Sequence, residues 1–227
     1  MADPNLYETG IFTVSEAAEL VGATERQVRG WIAGYADGAA PIIDNELGWI
    51  DGRLAFSFIN LMEIRFLAFF VNAGVKLRHI RAIMEEAKAL LNHPHPFATE
   101  TVFRTDGRKI VAEIGKRNGL RKIFDLKSKN FEMRAVVLDS LRADVEYDPV
   151  GEARRWRPRP KVAPNVVVDP RFAFGRPVMQ EGGIPTHTLA DAARTEGSAQ
   201  AAADWFEVPV RLVREAIKFE QNLRHAA

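Results

Sequence analysis

Thr13-Val-Ser-Glu-Ala-Ala-Glu-Leu-Val-Gly-Ala-Thr-Glu-Arg-Gln-Val-Arg-Gly-Trp31 contains two helix starts, at Thr13 and Thr24, with little between them but Gly22 and Ala23. Thr13-x-x-Glu16 and Thr24-x-x-Gln27 both fit the capping box, in which the threonine hydroxyl accepts the N3 amide and the N3 side chain reaches back to the cap. Ala17, Ala18, Leu20 and Val21 give the first helix an apolar face, and Gly22 supplies the left-handed residue that ends it. Val28, Trp31 and Ile32 recur at helical spacing on the second. Two short helices joined this tightly predict a helix-turn-helix, whose second helix can present its first turns to a DNA major groove.

The pattern continues outward. Ile42-Ile-Asp-Asn-Glu-Leu-Gly-Trp-Ile50 reads as two short apolar runs about a polar turn, a hairpin that would form a wing. Leu61, Ile64, Leu67, Ala68 and Val71 predict a helix over 58–72, and Leu77, Ile80, Ile83, Met84, Ala87 and Leu91 predict another. Asn92-His-Pro-His-Pro96 ends that helix and suggests a domain boundary.

From Thr101 the period changes to two. Thr101-Val-Phe-Arg104 and Lys109–Ile114 about Asp106-Gly107 predict a β hairpin, 121–126 a possible third strand, and 145–148 with 153–157 a second hairpin. Residues 131–143 fit helix or strand. Pro158, Pro160 and Pro164 mark a linker. Beyond it Thr188-x-x-Asp191 reads as a third capping box, Gly197 and Ser198 separate two helices, and Pro209 opens a last one. Ala202-Ala203, Glu207, Pro209, Val213 and Arg214 repeat the spacing of Ala17-Ala18, Gly22, Thr24, Val28 and Arg29, so the helix-turn-helix pattern occurs twice. The expected fold is α+β: a winged helix-turn-helix over 1–92, a basic β-hairpin segment over 93–163, and a three-helix helix-turn-helix domain over 164–227.

Composition bounds the function. The chain has 227 residues and no cysteine, which excludes disulfides and thiolate chemistry. Net charge is only +1, but residues 1–103 hold 8 basic and 13 acidic side chains whereas 104–134 hold 10 basic and 4 acidic. The N-terminus has no signal-peptide pattern and Phe66–Val71 is too short to span a bilayer, so a cytoplasmic protein is expected.

Several residues are candidates for a site. Arg26 and Gln27 are placed to meet base edges, and Thr24 and Arg29 to meet phosphates; the alternative is an α hairpin with solvated charges. Arg53 in the wing and Arg211 and Arg214 on the last helix extend the DNA-binding set. Arg104, Arg108, Lys109, Lys116, Arg117, Arg121, Lys122, Lys127 and Lys129 could hold phosphate or an acidic rim, or be a solvated strand face. His93 and His95 form a weak metal pair, better read as a proline turn. His187 and Asp191 lie four apart, yet no nucleophile or phosphate loop accompanies them, so neither an enzyme nor a cofactor is expected. Trp205 and Phe206 read as core, or with Val210 and Val213 as a homodimer contact.

Thr13-Val-Ser-Glu-Ala-Ala, Val28-Arg29-x-Trp31, Gly48-Trp49 through Arg53-x-x-Phe56, Leu61-x-x-Ile64 and Val75-x-Leu77-x-x-Ile80-Arg81 resemble the MerR family of winged-helix regulators over about residues 10–91. Asp169-Pro170, Gly175-Arg-Pro177 and Gly183-Ile-Pro-Thr186 resemble a small domain found in VapB-type antitoxins, which pair with PIN-domain ribonuclease toxins. That resemblance implies a DNA-binding, dimeric antitoxin that neutralises such a toxin and autorepresses its operon. The alternative is a stand-alone MerR-like transcriptional regulator answering a small molecule. Acidic side chains around a divalent metal in a nuclease would pair with guanidinium groups, and Arg155, Trp156 and Arg157 are the candidate partner-binding residues.

Overall fold

The computed structural model describes residues 6–36, 38–103 and 142–226. The fold is α+β, helices with small antiparallel sheets. The elements in order are α1 (Leu6–Thr9), β1 (Phe12–Thr13), α2 (Val14–Val21), α3 (Glu25–Ala33), β2 (Gly48–Ile50), β3 (Arg53–Phe56), α4 (Phe58–Asn72) and α5 (Leu77–Leu91). Two 3₁₀ turns, Pro96–Ala98 and Glu100–Phe103, lead on from α5; β4 (Val145–Tyr147), β5 (Ala153–Trp156), β6 (Val166–Val167), a 3₁₀ turn at Ala173–Gly175 and β7 (Val178–Met179) come later. The chain closes with α6 (Thr186–Thr195), α7 (Ala199–Phe206) and α8 (Val210–Ala226).

The chain forms two compact units, each drawing on more than one of the segments 1–92, 93–163 and 164–227. One gathers Met1–Glu25, Leu47–Phe58 and Arg155–Ala227; the other gathers Arg26–Glu46 and Ile59–Arg154.

In the first unit the opening stretch folds as its caps dictate. Thr13 Oγ1 accepts the Glu16 amide at 3.3 Å while the Glu16 carboxylate accepts the Thr13 amide at 2.9 Å, and Gly22, left-handed at φ 67°, ends α2. β1 pairs with β3, which pairs with β2, and Phe12 lies opposite Phe56. The β2–β3 turn is Asp51-Gly52, both at positive φ, as primed hairpin turns require. The wing expectation for Ile42–Ile50 is therefore corrected: its second half is β2, and the partner strand lies after it. Ile42 and Ile43 form no strand; they are buried, and both their amides donate to the Trp31 carbonyl in the second unit.

The tail supplies most of the first unit's core. Leu212, Val213, Ala216, Phe219 and Leu223 bury one stripe of α8 against α6, α7 and α2. β6 and β7 pair antiparallel, Val166 opposite Met179. Arg159 joins the linker to the N-terminal segment: its guanidinium donates to the Leu20 carbonyl at 2.8 Å and the Glu19 carbonyl at 3.2 Å, and its Nε to Asn222 at 3.0 Å. A cation there satisfies carbonyls that the end of α2 leaves open and complements the helix dipole. The linker is thereby built into the core.

The motif residues of the tail have structural causes. Gly175 has φ 88°, and a Cβ on it would lie 2.5 Å from the Phe12 ring. Next to it the Ile11 amide donates to the Phe174 carbonyl at 2.9 Å. Thr186 donates its amide to the Pro177 carbonyl and its hydroxyl to Glu220. The Pro185 carbonyl, accepting the Thr188 and Leu189 amides, starts α6 at Thr186, so the capping box expected at Thr188 is not formed and Thr188 lies inside the helix. Ser198 does cap α7, accepting the Ala201 amide at 3.1 Å.

In the second unit α4 is buried almost all round, and its Phe66 ring stacks on Phe97 at 3.9 Å. Val28, Trp31 and Ile32 bury the inner side of α3. Thr101–Phe103, expected as a strand, belongs to a 3₁₀ turn whose first amide, that of Glu100, is taken by the Gly151 carbonyl at 2.8 Å. The 145–157 hairpin is present as β4 and β5. The Lys109–Ile114 and 121–126 strands, the 131–141 segment and the basic residues from Arg104 to Lys129 lie outside the described residues.

Two glycines test this packing. Gly175→Ala is expected to lower stability by about 2–5 kcal/mol, combining left-handed strain with a clash against Phe12. Gly22→Ala, where the space is open, should cost only about 1–2 kcal/mol. Urea denaturation of both variants checks the order, and equal losses would contradict it.

Candidate nucleic-acid interface

α3 divides as an amphipathic helix does. Val28 and Trp31 point inward, while Arg26 and Arg29, three apart on one face, are exposed, with Thr24 exposed just ahead and Gln27 half-buried. The two guanidiniums stand on a rigid helix whose far side is fixed in the core. That is the arrangement a base- and phosphate-reading surface needs. In the first unit, the tip of the β2–β3 hairpin exposes Arg53 and Trp49, the latter at 64%. Trp49 is not among the residues that sequence reasoning selects. The signal for it is the alternation of β2, in which the middle residue of three is the exposed one.

The tail candidates differ in their surroundings. Arg211 pairs with Glu181, whereas Arg214 is exposed and has no acidic partner among the described residues. Trp205, expected as core, is 75% exposed, because Ala202 and Ala203 already fill the buried side of α7. Val213 is fully buried and Phe206 and Val210 half-buried, so a contact between copies could use Trp205 but not Val213.

The 155–157 run also has a different setting. Trp156 is 3% exposed and its backbone bridges to Val168, so its ring is core and not an anchor offered to a partner. Arg157 donates to Gln180 at 3.2 Å. Arg155 donates from Nε to the buried Asp169 carboxylate at 3.0 Å, and Arg171 reaches the same carboxylate through Nε at 2.9 Å and Nη2 at 2.6 Å. Burial pushes the Asp169 carboxyl up, but the Arg171 side-chain and backbone bonds, with that of Arg155, outweigh it and hold the group below its ordinary value. Beside this ion triad Arg171 lies 5.7 Å over the Phe172 ring, and Phe172 and Phe174 are exposed. Ala173 and Phe174 both take positive φ, a strain that non-glycine residues adopt only where surrounding structure enforces it.

His93 and His95 belong to ion pairs of the second unit. His95 Nδ1 lies 2.9 Å from the fully buried Glu63 carboxylate, Nε2 lies 3.5 Å from Glu46, and His93 faces Glu152 at 3.4 Å. The His95–Glu63 pair has no signal in the local pattern, because His95 lies 32 residues beyond the α4 carboxylate it faces. His187 faces Thr188, and Asp191 pairs with Arg194. Among the described residues no group of three or more histidines and carboxylates is placed to hold a metal, and no helix is long and apolar enough to cross a membrane.

No family model matches the chain. It is 22% identical over 237 residues to a protein named "Putative antitoxin VapB45" from Mycobacterium tuberculosis (strain ATCC 25618 / H37Rv), covering 93% of this chain and 94% of that one. Its fold is similar to that of the crystal structure of Rv2018 from Mycobacterium tuberculosis, with a TM-score of 0.71 at 22% identity over 91% of this chain and 96% of that one.

The His95–Glu63 pair makes the second unit sensitive to pH. Burial pushes Glu63 up against the pull of His95, and Oε1 of Glu63 accepts no hydrogen bond. Burial pushes His95 down, but the hydrogen bond and charge of Glu63 more than reverse this and raise it. Both raised values mean that the folded state holds protons more tightly than the unfolded one, so stability falls as pH rises from about 6.5 through the raised His95 value. The urea midpoint should be lower at about pH 9 than at about pH 6. Glu63→Gln with His95→Gln should flatten that dependence, and an equally steep dependence in the double variant would contradict the assignment.

Proposed function

We propose that the protein is the antitoxin of a toxin–antitoxin pair, binding operator DNA through α3 and neutralising a PIN-domain ribonuclease toxin. The observation that carries this reading is the near end-to-end correspondence with a protein named as an antitoxin, together with the similar fold. The exposed Arg26 and Arg29 of α3 support the DNA half, since a second helix bearing such residues outward is the element helix-turn-helix proteins insert into a major groove. In this reading the MerR-like resemblance over about residues 10–91 marks the DNA-binding segment, and binding upstream of its own gene makes the protein an autorepressor. It acts as a homodimer on DNA, with Trp205 at the contact between copies, because paired half-sites give the affinity that one short helix lacks.

For the toxin, Arg155 and Arg157 act from within. They hold the base of the Phe172–Phe174 loop, and that loop with Arg176 is an exposed aromatic and basic surface of the tail. Exposed aromatics on a strained, rigid loop lose little entropy on docking.

Two experiments test the two halves. Arg26→Ala with Arg29→Ala should weaken binding to the duplex upstream of the gene, in a mobility-shift assay, by about 1–3 kcal/mol for each arginine that reads a base. Unchanged binding removes α3 from the interface. Co-expression with the product of the adjacent reading frame should yield a complex that Phe172→Ala with Phe174→Ala weakens. If that product is a nuclease and does not co-purify with the wild type, the antitoxin reading fails.

A further inference from the structure

α8 carries two acids and a basic face, and the structure separates them. Glu215 turns inward and accepts the Asn165 amide at 2.6 Å and its side-chain Nδ2 at 2.9 Å. Glu220 accepts the Thr186 hydroxyl. With both carboxylates engaged and Leu212, Val213, Ala216, Phe219 and Leu223 buried, the outward side of the helix is Arg211, Arg214, Lys218 and Gln221, all exposed. Their spacing of three, four and three keeps them within an arc of about 80° on an ideal helix. Neither Arg214 nor Lys218 has an acidic partner among the described residues.

This face belongs to the second helix of a helix-turn-helix. α7 ends at Glu207, left-handed at φ 54°, and Val208 and Pro209 lead directly into α8. Gly22 closes α2 in the same backbone conformation before α3. Of the acids outside α8, Asp204 accepts the Gln200 amide and Glu181 engages Arg211 alone, while Glu207 caps α7 through its backbone and makes no ion pair with Arg211, Arg214 or Lys218 among the described residues. A row of cations on one side of a helix about 10–12 Å across matches a major groove about 12 Å wide, flanked by phosphates.

We infer that α8 makes a second contact with duplex DNA, in which Arg211, Arg214 and Lys218 meet phosphates. The choice of duplex as the occupant rests on the DNA-binding reading of α3. On DNA, Arg211 exchanges Glu181 for a phosphate, so Glu181 restrains the contact.

The test uses the full chain and the duplex upstream of its own gene, with fluorescence anisotropy over a range of salt. Arg214→Ala with Lys218→Ala should weaken binding and reduce the slope of log K against log salt by about 2, close to one for each phosphate no longer neutralised. Glu181→Gln should tighten binding, a gain that a purely structural role would not produce. If the double variant keeps the wild-type slope and affinity while Arg26→Ala with Arg29→Ala loses binding, the α8 contact is wrong and the reading of α3 stands. If the wild type fails to bind the duplex at all, both fall. If the double variant binds weakly only because light scattering shows it has become monomeric, the face is a contact between copies of the chain and the inference is overturned.

Discussion

The buried Asp169 carboxylate is the constraint on which the first unit depends. Two guanidiniums and the Arg171 amide converge on it, and none of these bonds can be given up cheaply, since an uncompensated buried charge costs about 3–5 kcal/mol. The bonds fix the turn after β6, and the turn fixes the loop that follows. That loop places Gly175 under the Phe12 ring and the Phe174 carbonyl before the Ile11 amide. A single charge in the tail thereby sets how the N-terminal strand is held. Arg159 makes a second tie, from the linker to the last carbonyls of α2.

These ties explain why the first helix of the opening pair can be so short. Eight residues are too few to persist alone in water, where nucleation outweighs propagation. α2 lasts because its capping box, its Arg159 contact and the apolar stripe of α8 all act on it. The helix after the glycine turn, α3, is anchored separately, through Trp31 and the Ile42 and Ile43 amides in the second unit. Rigid placement of a short helix by elements distant in sequence suits a surface that must meet its target in one geometry.

Periodicity and capping chemistry make much of this legible in the sequence. The helices at Phe58–Asn72 and Leu77–Leu91 fall where their apolar spacing puts them, and Gly22, Asn92 and Ser198 end or begin helices as their residue types require. What depends on tertiary partners is not legible. The hairpin register shifts because Ile42 and Ile43 are apolar for burial beside α3 and not for a strand. The Thr188 box does not form because the helix already starts after Pro185, whose carbonyl takes the Thr188 and Leu189 amides. Trp205 has the composition of core, yet two alanines fill that side of α7. The candidate site divides in the same way. Arg26, Arg29, Arg53 and Arg214 are exposed, as local spacing suggests, whereas Trp156 and Arg155 serve the core through Val168 and Asp169, contacts that no local pattern announces.

Native-state hydrogen exchange tests most directly the central claim, that the tail and the N-terminal segments share one core. The amides of α2 near Leu20 and those of α8 near Val213 should exchange with the same opening free energy, and Asp169→Asn should accelerate both sets together. If α2 exchanges by local opening while α8 keeps its protection, and Asp169→Asn alters only one of them, the shared core does not exist.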